Sequence, residues 1–199
     1  MTGIYITIEG IDGSGKTTLV RSLGEAFPDA VTTAEPDDTL WTGRAVREAI
    51  SRETAAPTDA LLFLADRAEH LERTVVPALN DGTVVISDRG HDSTYAYQVP
   101  RISDELDVHP RTVRVWLDLA YSLWNVEPDL TIWLDTPVER AAARMSGEEK
   151  WADADFMKRV RAGYELQMRR EPGRVRRVNG GLPKDRVVDE AARLVGGLL

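Results

Sequence analysis

A chain of 199 residues with 42% hydrophobic content can bury one substantial core and does not need two. The absence of Cys excludes disulfides, thiolate metal centres and Cys nucleophiles and fits a reducing compartment, so the cytoplasm is the expected location. A net charge of −8 argues against a nucleic-acid partner, which needs many cationic contacts, and no run nears the ~18 apolar residues of a membrane span.

In chain order, the first element is an apolar strand over 4–9, with no basic or extended hydrophobic leader before it. It runs into GIDGSGKT, Gly10 to Thr17, which fits G-x-x-x-x-G-K-[ST] and opens a helix. Gly10, Gly13 and Gly15 permit backbone that a Cβ would forbid, so N–H groups from Ile11 onward can turn around phosphate oxygens. Lys16 then offers charge to the β and γ phosphates of ATP, Thr17 offers a hydroxyl to Mg²⁺, and Ser14 and Thr18 add polar atoms. A carboxylate inside such a cradle is unfavourable unless it points away from the phosphates. Asp12 is therefore expected to face the other substrate and to accept from a sugar hydroxyl.

A second strand over 31–35 ends on Glu35, and Arg47 follows in the next helix. Leu61, Leu64, Ala68, Leu71, Val75 and Leu79 recur at helical spacing and read as the core face of a long helix capped by Thr58 or Asp59. On that helix Phe63 and Arg67 stand four residues apart, so a ring and a guanidinium can meet one nucleobase. The third strand, 84–88, delivers Asp88 and Arg89 to the sheet edge that carries the phosphate loop. Asp88 suits a Mg²⁺ partner or a substrate-positioning group, and Arg89 has the planar fork that grips a phosphate.

Further strands are expected over 130–135 and 175–179, with Pro137 in a first helical turn and Pro183 opening the last helix. Between them, 146–155 is rich in charge and weak in apolar period, which reads as a mobile lid. Phe156, Val160, Tyr164 and Met168 form another core stripe, and the basic run 169–177 reads as a solvated helix end and loop. His70, His91 and His109 lack metal-ligand spacing. The alternation specifies an α/β chain with the three-layer fold of P-loop NTPases: a five-stranded parallel sheet flanked by helices, one domain over 1–199, with a short lid.

Six segments carry a more specific resemblance: IEGIDGSGKTTL, EP, LLFLADRAEH, VISDRGHDSTYAYQ, PDLTIWLDTPVERAAAR and FMKRVRAGYELQM. In that order and spacing the chain resembles thymidylate kinases of the bacterial and archaeal type. The resemblance implies ATP as phosphoryl donor with Mg²⁺, thymidine 5′-monophosphate as acceptor, and a homodimer. It assigns Asp12 to the acceptor's 3′-hydroxyl, Phe63 to stacking on thymine, and Arg67 to the base or the phosphate near it. Arg47 and Arg89 would hold the acceptor phosphate, Glu35 belongs to the same pocket, and Ser93, Thr94, Tyr97 and Gln98 would line base and sugar. Lys16, Asp88, Arg89, Arg144 and Lys150 would surround the transferring group.

The chain departs from the family where TAEPDDT replaces the common TREPGGT, putting Ala34 for an Arg and Asp37 and Asp38 for glycines. Gly90 stands where an aromatic is common, and the lid region offers only Arg144 before it and Lys150 within it. Residue patterns alone leave open a kinase for another nucleotide or deoxynucleoside, and an ATP-binding regulatory module.

Overall fold

The computed structural model describes residues 2–145 and 153–199. Five strands, β1 (Ile4–Glu9), β2 (Val31–Ala34), β3 (Val84–Asp88), β4 (Leu130–Asp135) and β5 (Val175–Asn179), form one parallel sheet in the order β2-β3-β1-β4-β5. Central β1 pairs Ile6 with Ile86 on one side and Leu130 on the other. Apolar residues at alternate positions of such a strand fall on one face. Ile6 and Ile8 accordingly meet Leu19, Leu23, Val187 and Ala191 from α1 (Lys16–Ala26) and α9 (Lys184–Gly196).

The opposite face is more polar than an apolar-in pattern suggests. Thr7 and Glu9 point there, both fully buried, and the Thr7 hydroxyl lies 2.8 Å from that of Thr131. This face is covered by α3 (Ala56–His70), α5 (His91–Leu106), α6 (Pro110–Tyr121) and α8 (Ala154–Arg170). A short α2 (Trp41–Ile50) packs beside α3, and a five-residue π-helical stretch, Leu71–Val75, carries α3 into α4 (Val76–Asn80). A final short α7 (Val138–Ala142) follows β4.

Four expectations are corrected. β2 ends at Ala34, one residue early, and Glu35 lies beyond it. The long helix begins at Ala56 with Pro57 in its first turn, and Asp59 is buried against Arg101 instead of capping. Leu61 is 56% exposed, because α3 turns only part of its stripe inward. Arg174, expected in solvent, is drawn under α5 by a charge-assisted pair with buried Asp92 at 2.7 Å.

Candidate active site

Parallel strands bring their carboxyl ends to one edge, where Glu9, Ala34, Asp88 and Asp135 mark the last residues of four strands. The phosphate loop leaves β1 at that edge. Its Gly13 has φ 73°, a left-handed value, and a Cβ there would collide with the Ala141 carbonyl of α7. Gly15 caps α1, so the loop's amides converge on a helix N-terminus, a ready anion site.

Lys16 is buried, and its ammonium donates back to the Ile11 carbonyl at 2.9 Å. Burial, with the nearby Arg89 charge, pushes its pKa down to about 8. Thr17 donates its hydroxyl to Asp88 at 2.6 Å, joining α1 to the end of β3. Ser14 is buried, and Thr18 lies on the half-buried side of α1 beside them.

The turn from β3 to α5 aims Arg89 back at the loop. Its φ of 79° is uncommon for a residue with a Cβ, and its N–H donates to the Ile8 carbonyl at 3.0 Å, fixing the turn. The guanidinium pairs with Asp12, donates to Ser93 at 3.0 Å and to the Gly10 carbonyl at 3.2 Å, and lies 5.0 Å from the Tyr97 ring centroid. Tyr97 donates its hydroxyl to the other Asp12 oxygen at 2.9 Å. Burial works against ionisation of Asp12, but Arg89 and Lys16 together hold its pKa below the usual range. Asp12, Lys16, Thr17, Asp88, Arg89, Ser93 and Tyr97 thus form one constellation, assembled from β1, α1, β3 and α5.

Beyond it, α3 presents half-buried Phe63 one turn before Arg67. Arg67 is buried and paired with Glu35, whose other oxygen lies 2.9 Å from His70 Nδ1. The guanidinium also sits 5.9 Å from the Tyr121 ring centroid, and its Nε has no hydrogen-bond partner among the described residues. Thr94 and Gln98 are buried on α5, and among the described residues the Gln98 Oε1 is likewise unpartnered. Arg47 does not join the cluster. It is 55% exposed and turned to Asp38 at 2.9 Å, one of the two acidic residues that replace glycines. Arg144 donates to the Gly13 carbonyl at 3.1 Å, which places a cation beside the loop. Lys150 and most of the expected lid, 146–152, lie outside the described residues.

Two residues at this site escaped the sequence reading. Glu9 accepts from the backbone N–H of Gly90 at 2.7 Å and from the Ser93 hydroxyl at 2.5 Å. Tyr164, read as core, carries its hydroxyl to 2.9 Å from Ser93 and donates to Glu9 at 3.1 Å. Burial and the charge of Asp92 push the Glu9 carboxyl up to about 7. The only local hint was a Glu closing an apolar strand, next to the loop it supports.

Comparison with known proteins agrees with this geometry. The family model described as Thymidylate kinase matches residues 8–191. A "Probable thymidylate kinase" from Halobacterium salinarum is 40% identical over 190 residues, covering 94% of this chain and 93% of its own. A second, from Halorubrum lacusprofundi, is 37% identical over 98% of this chain and 99% of its own. The crystal structure of thymidylate kinase from Ehrlichia chaffeensis superposes with a TM-score of 0.75 at 27% identity, covering 98% of this chain and 99% of that one.

Proposed function

From the premise that the chain belongs to the thymidylate kinase family, we propose that it transfers the terminal phosphoryl group of ATP to thymidine 5′-monophosphate, releasing ADP and thymidine diphosphate. The observation that carries this reading is the Asp12–Arg89–Tyr97 cluster, which ties the phosphate loop to the acceptor-side helix at one sheet edge. Donor and acceptor phosphates would meet there.

Phosphoryl transfer asks for positioning and charge neutralisation, not a covalent intermediate. Lys16 swings from the Ile11 carbonyl to the donor phosphates, and Arg89 holds the acceptor phosphate. Arg144, and Lys150 beyond the described residues, add charge around the transferring group. Phe63 stacks on the base, Arg67 addresses its edge with Glu35 holding the guanidinium, and Ser93, Thr94, Tyr97 and Gln98 line base and sugar. Arg47 would reach the acceptor phosphate only by releasing Asp38.

Mg²⁺ fits the Thr17 hydroxyl with the Asp88 carboxylate behind it, since this ion takes few protein ligands and the rest from phosphate and water. When bound, it would neutralise charge on the donor phosphates. Lys16 and the loop amides orient those phosphates from the other side.

We take the chain to act as one kinase domain, with 146–155 as its lid and small nucleotides rather than nucleic acid as its partners. A homodimer is supported by apolar exposure on neighbouring helices: Leu61 of α3 and Val115 and Leu119 of α6 are 56%, 48% and 67% exposed. No helix among the described residues is long and apolar enough to cross a membrane, which suits a cytoplasmic enzyme. Calorimetric titration with thymidine monophosphate in the absence of ATP tests the acceptor pocket. Saturable binding that is lost with Arg89→Met supports it, and no binding at millimolar nucleotide would contradict it.

A further inference from the structure

A second cavity, of about 430 Å³, opens between α5, α6 and the end of α8. On α5 it is lined by His91 and Tyr95, two residues before Ser93 and Tyr97. Two residues is roughly 200° of helical turn, so this wall is the side of α5 turned away from the phosphate loop. The cavity therefore lies on the far side of α5 from Arg89 and the phosphate loop, and borders the acceptor pocket through Tyr121, whose ring faces Arg67.

Its chemistry is unbalanced in one respect. Arg114 is only 7% exposed, yet no carboxylate lies within 4.0 Å of its guanidinium among the described residues. It stacks 4.9 Å from the Tyr95 ring centroid and donates once, to Gln167 Oε1 at 2.7 Å. A guanidinium carries five N–H donors, so most of its capacity is unused. Burying a cation without an opposite charge is costly. Burial and the neighbouring charge of Arg170 both weaken Arg114's hold on its proton, which marks two cations facing one space.

The acidic residues of the lining relieve this only in part, since the Asp118 charge supports the Arg114 cation without touching it. Asp118 takes the Tyr95 hydroxyl at 2.6 Å, and Glu171 pairs with Arg174 at 2.6 Å. Glu127 lies exposed at the rim. His91 is 4% exposed, and burial keeps its pKa below the ordinary value, so the ring is neutral at neutral pH. Its Nε2 lies 3.5 Å from Arg174 and 3.7 Å from the Asp92 carboxylate, and its Nδ1 is buried without a partner among the described residues.

We infer that this cavity is a binding site for the oxyanion end of a small polar molecule, phosphate or carboxylate, held by Arg114 and Arg170. Such a ligand supplies the missing countercharge, and a cavity of this size admits a metabolite larger than the anion alone. It rests on residues that the phosphotransfer reading does not use.

The test measures binding, not turnover. The full chain is titrated calorimetrically with inorganic phosphate, and separately with malonate, with the phosphate loop blocked by a non-hydrolysable ATP analogue. One saturable site is expected for at least one anion, weakened about tenfold or more by Arg114→Met. The exposed Arg170→Ala, which leaves the core intact, is expected to weaken it about threefold. Binding of phosphate alone or malonate alone names the oxyanion. No saturable binding of either, or binding that neither substitution changes, would overturn the assignment. Should Arg114→Met fail to fold, Arg170→Ala carries the same test.

Discussion

Replacing Asp12 with Asn separates an acceptor-binding role from a purely structural one. In the structure Arg89 takes one Asp12 oxygen and Tyr97 the other. An ionised carboxylate has about four lone-pair directions, so room remains for a substrate hydroxyl. A hydrogen bond to a charged group contributes ~1.5–3 kcal/mol, so loss of this one should lower kcat/KM for thymidine monophosphate about 10- to 150-fold. Part of any loss will come from Arg89, which keeps its place beside the new amide but loses its countercharge. That part does not depend on the acceptor's hydroxyl. Steady-state ADP release is therefore measured for wild type and variant with thymidine monophosphate and with its 3′-deoxy analogue, completing a double cycle. The substitution is expected to cost about tenfold less with the analogue, ~1.4 kcal/mol of coupling. Equal losses with both acceptors would refute contact between Asp12 and the 3′-hydroxyl.

Lys16→Ala should lower kcat by at least ~100-fold with the fold retained, checked by initial rates beside circular dichroism. Because the Lys16 pKa stands at about 8 in the free chain and phosphate binding requires its charged form, ATP affinity should fall as pH rises above 8, by up to about tenfold per unit, in titrations from pH 7 to 9.5. Gly13→Ala must place a Cβ against the Ala141 carbonyl at a left-handed φ, so ATP binding should be lost while the acceptor still binds, as calorimetry can report. Glu9 holds its proton more tightly folded than unfolded, so it lowers stability as pH climbs from the ordinary carboxylate range through about 7. Glu9→Gln should flatten that slope in urea melts at pH 5 and 7.5, and an unchanged slope would remove Glu9 as its source.

Strands were legible where an apolar run met a chemical landmark. The 4–9, 84–88 and 130–135 strands hold their expected bounds because buried parallel strands read as continuous apolar runs, and 175–179, an edge strand with only Val175 and Val178 buried, holds its bounds as well. The phosphate loop is legible for a similar reason: its function needs glycines and Lys in one short window. Phe63 and Arg67 fall on one helix by spacing alone, but nothing local shows that Glu35 holds Arg67 or that Asp38 holds Arg47. Those pairings join separate elements. Glu9 and Tyr164 stand 155 residues apart, and periodicity gave Tyr164 only its ring's role in the core, not its hydroxyl's reach to Ser93. Arg114 was equally silent, since an Arg on an amphipathic helix reads as surface until neighbouring helices enclose it.

On the proposed function, the donor loop and a thymidylate-selective acceptor pocket work as one site. The most direct measurement is ADP release with ATP and Mg²⁺, offering each nucleoside monophosphate in turn and thymidine as a separate acceptor. Turnover with thymidine monophosphate is expected to stand well above that with every other acceptor. Equal or greater turnover with another nucleotide, or ADP release that no acceptor stimulates, would contradict it.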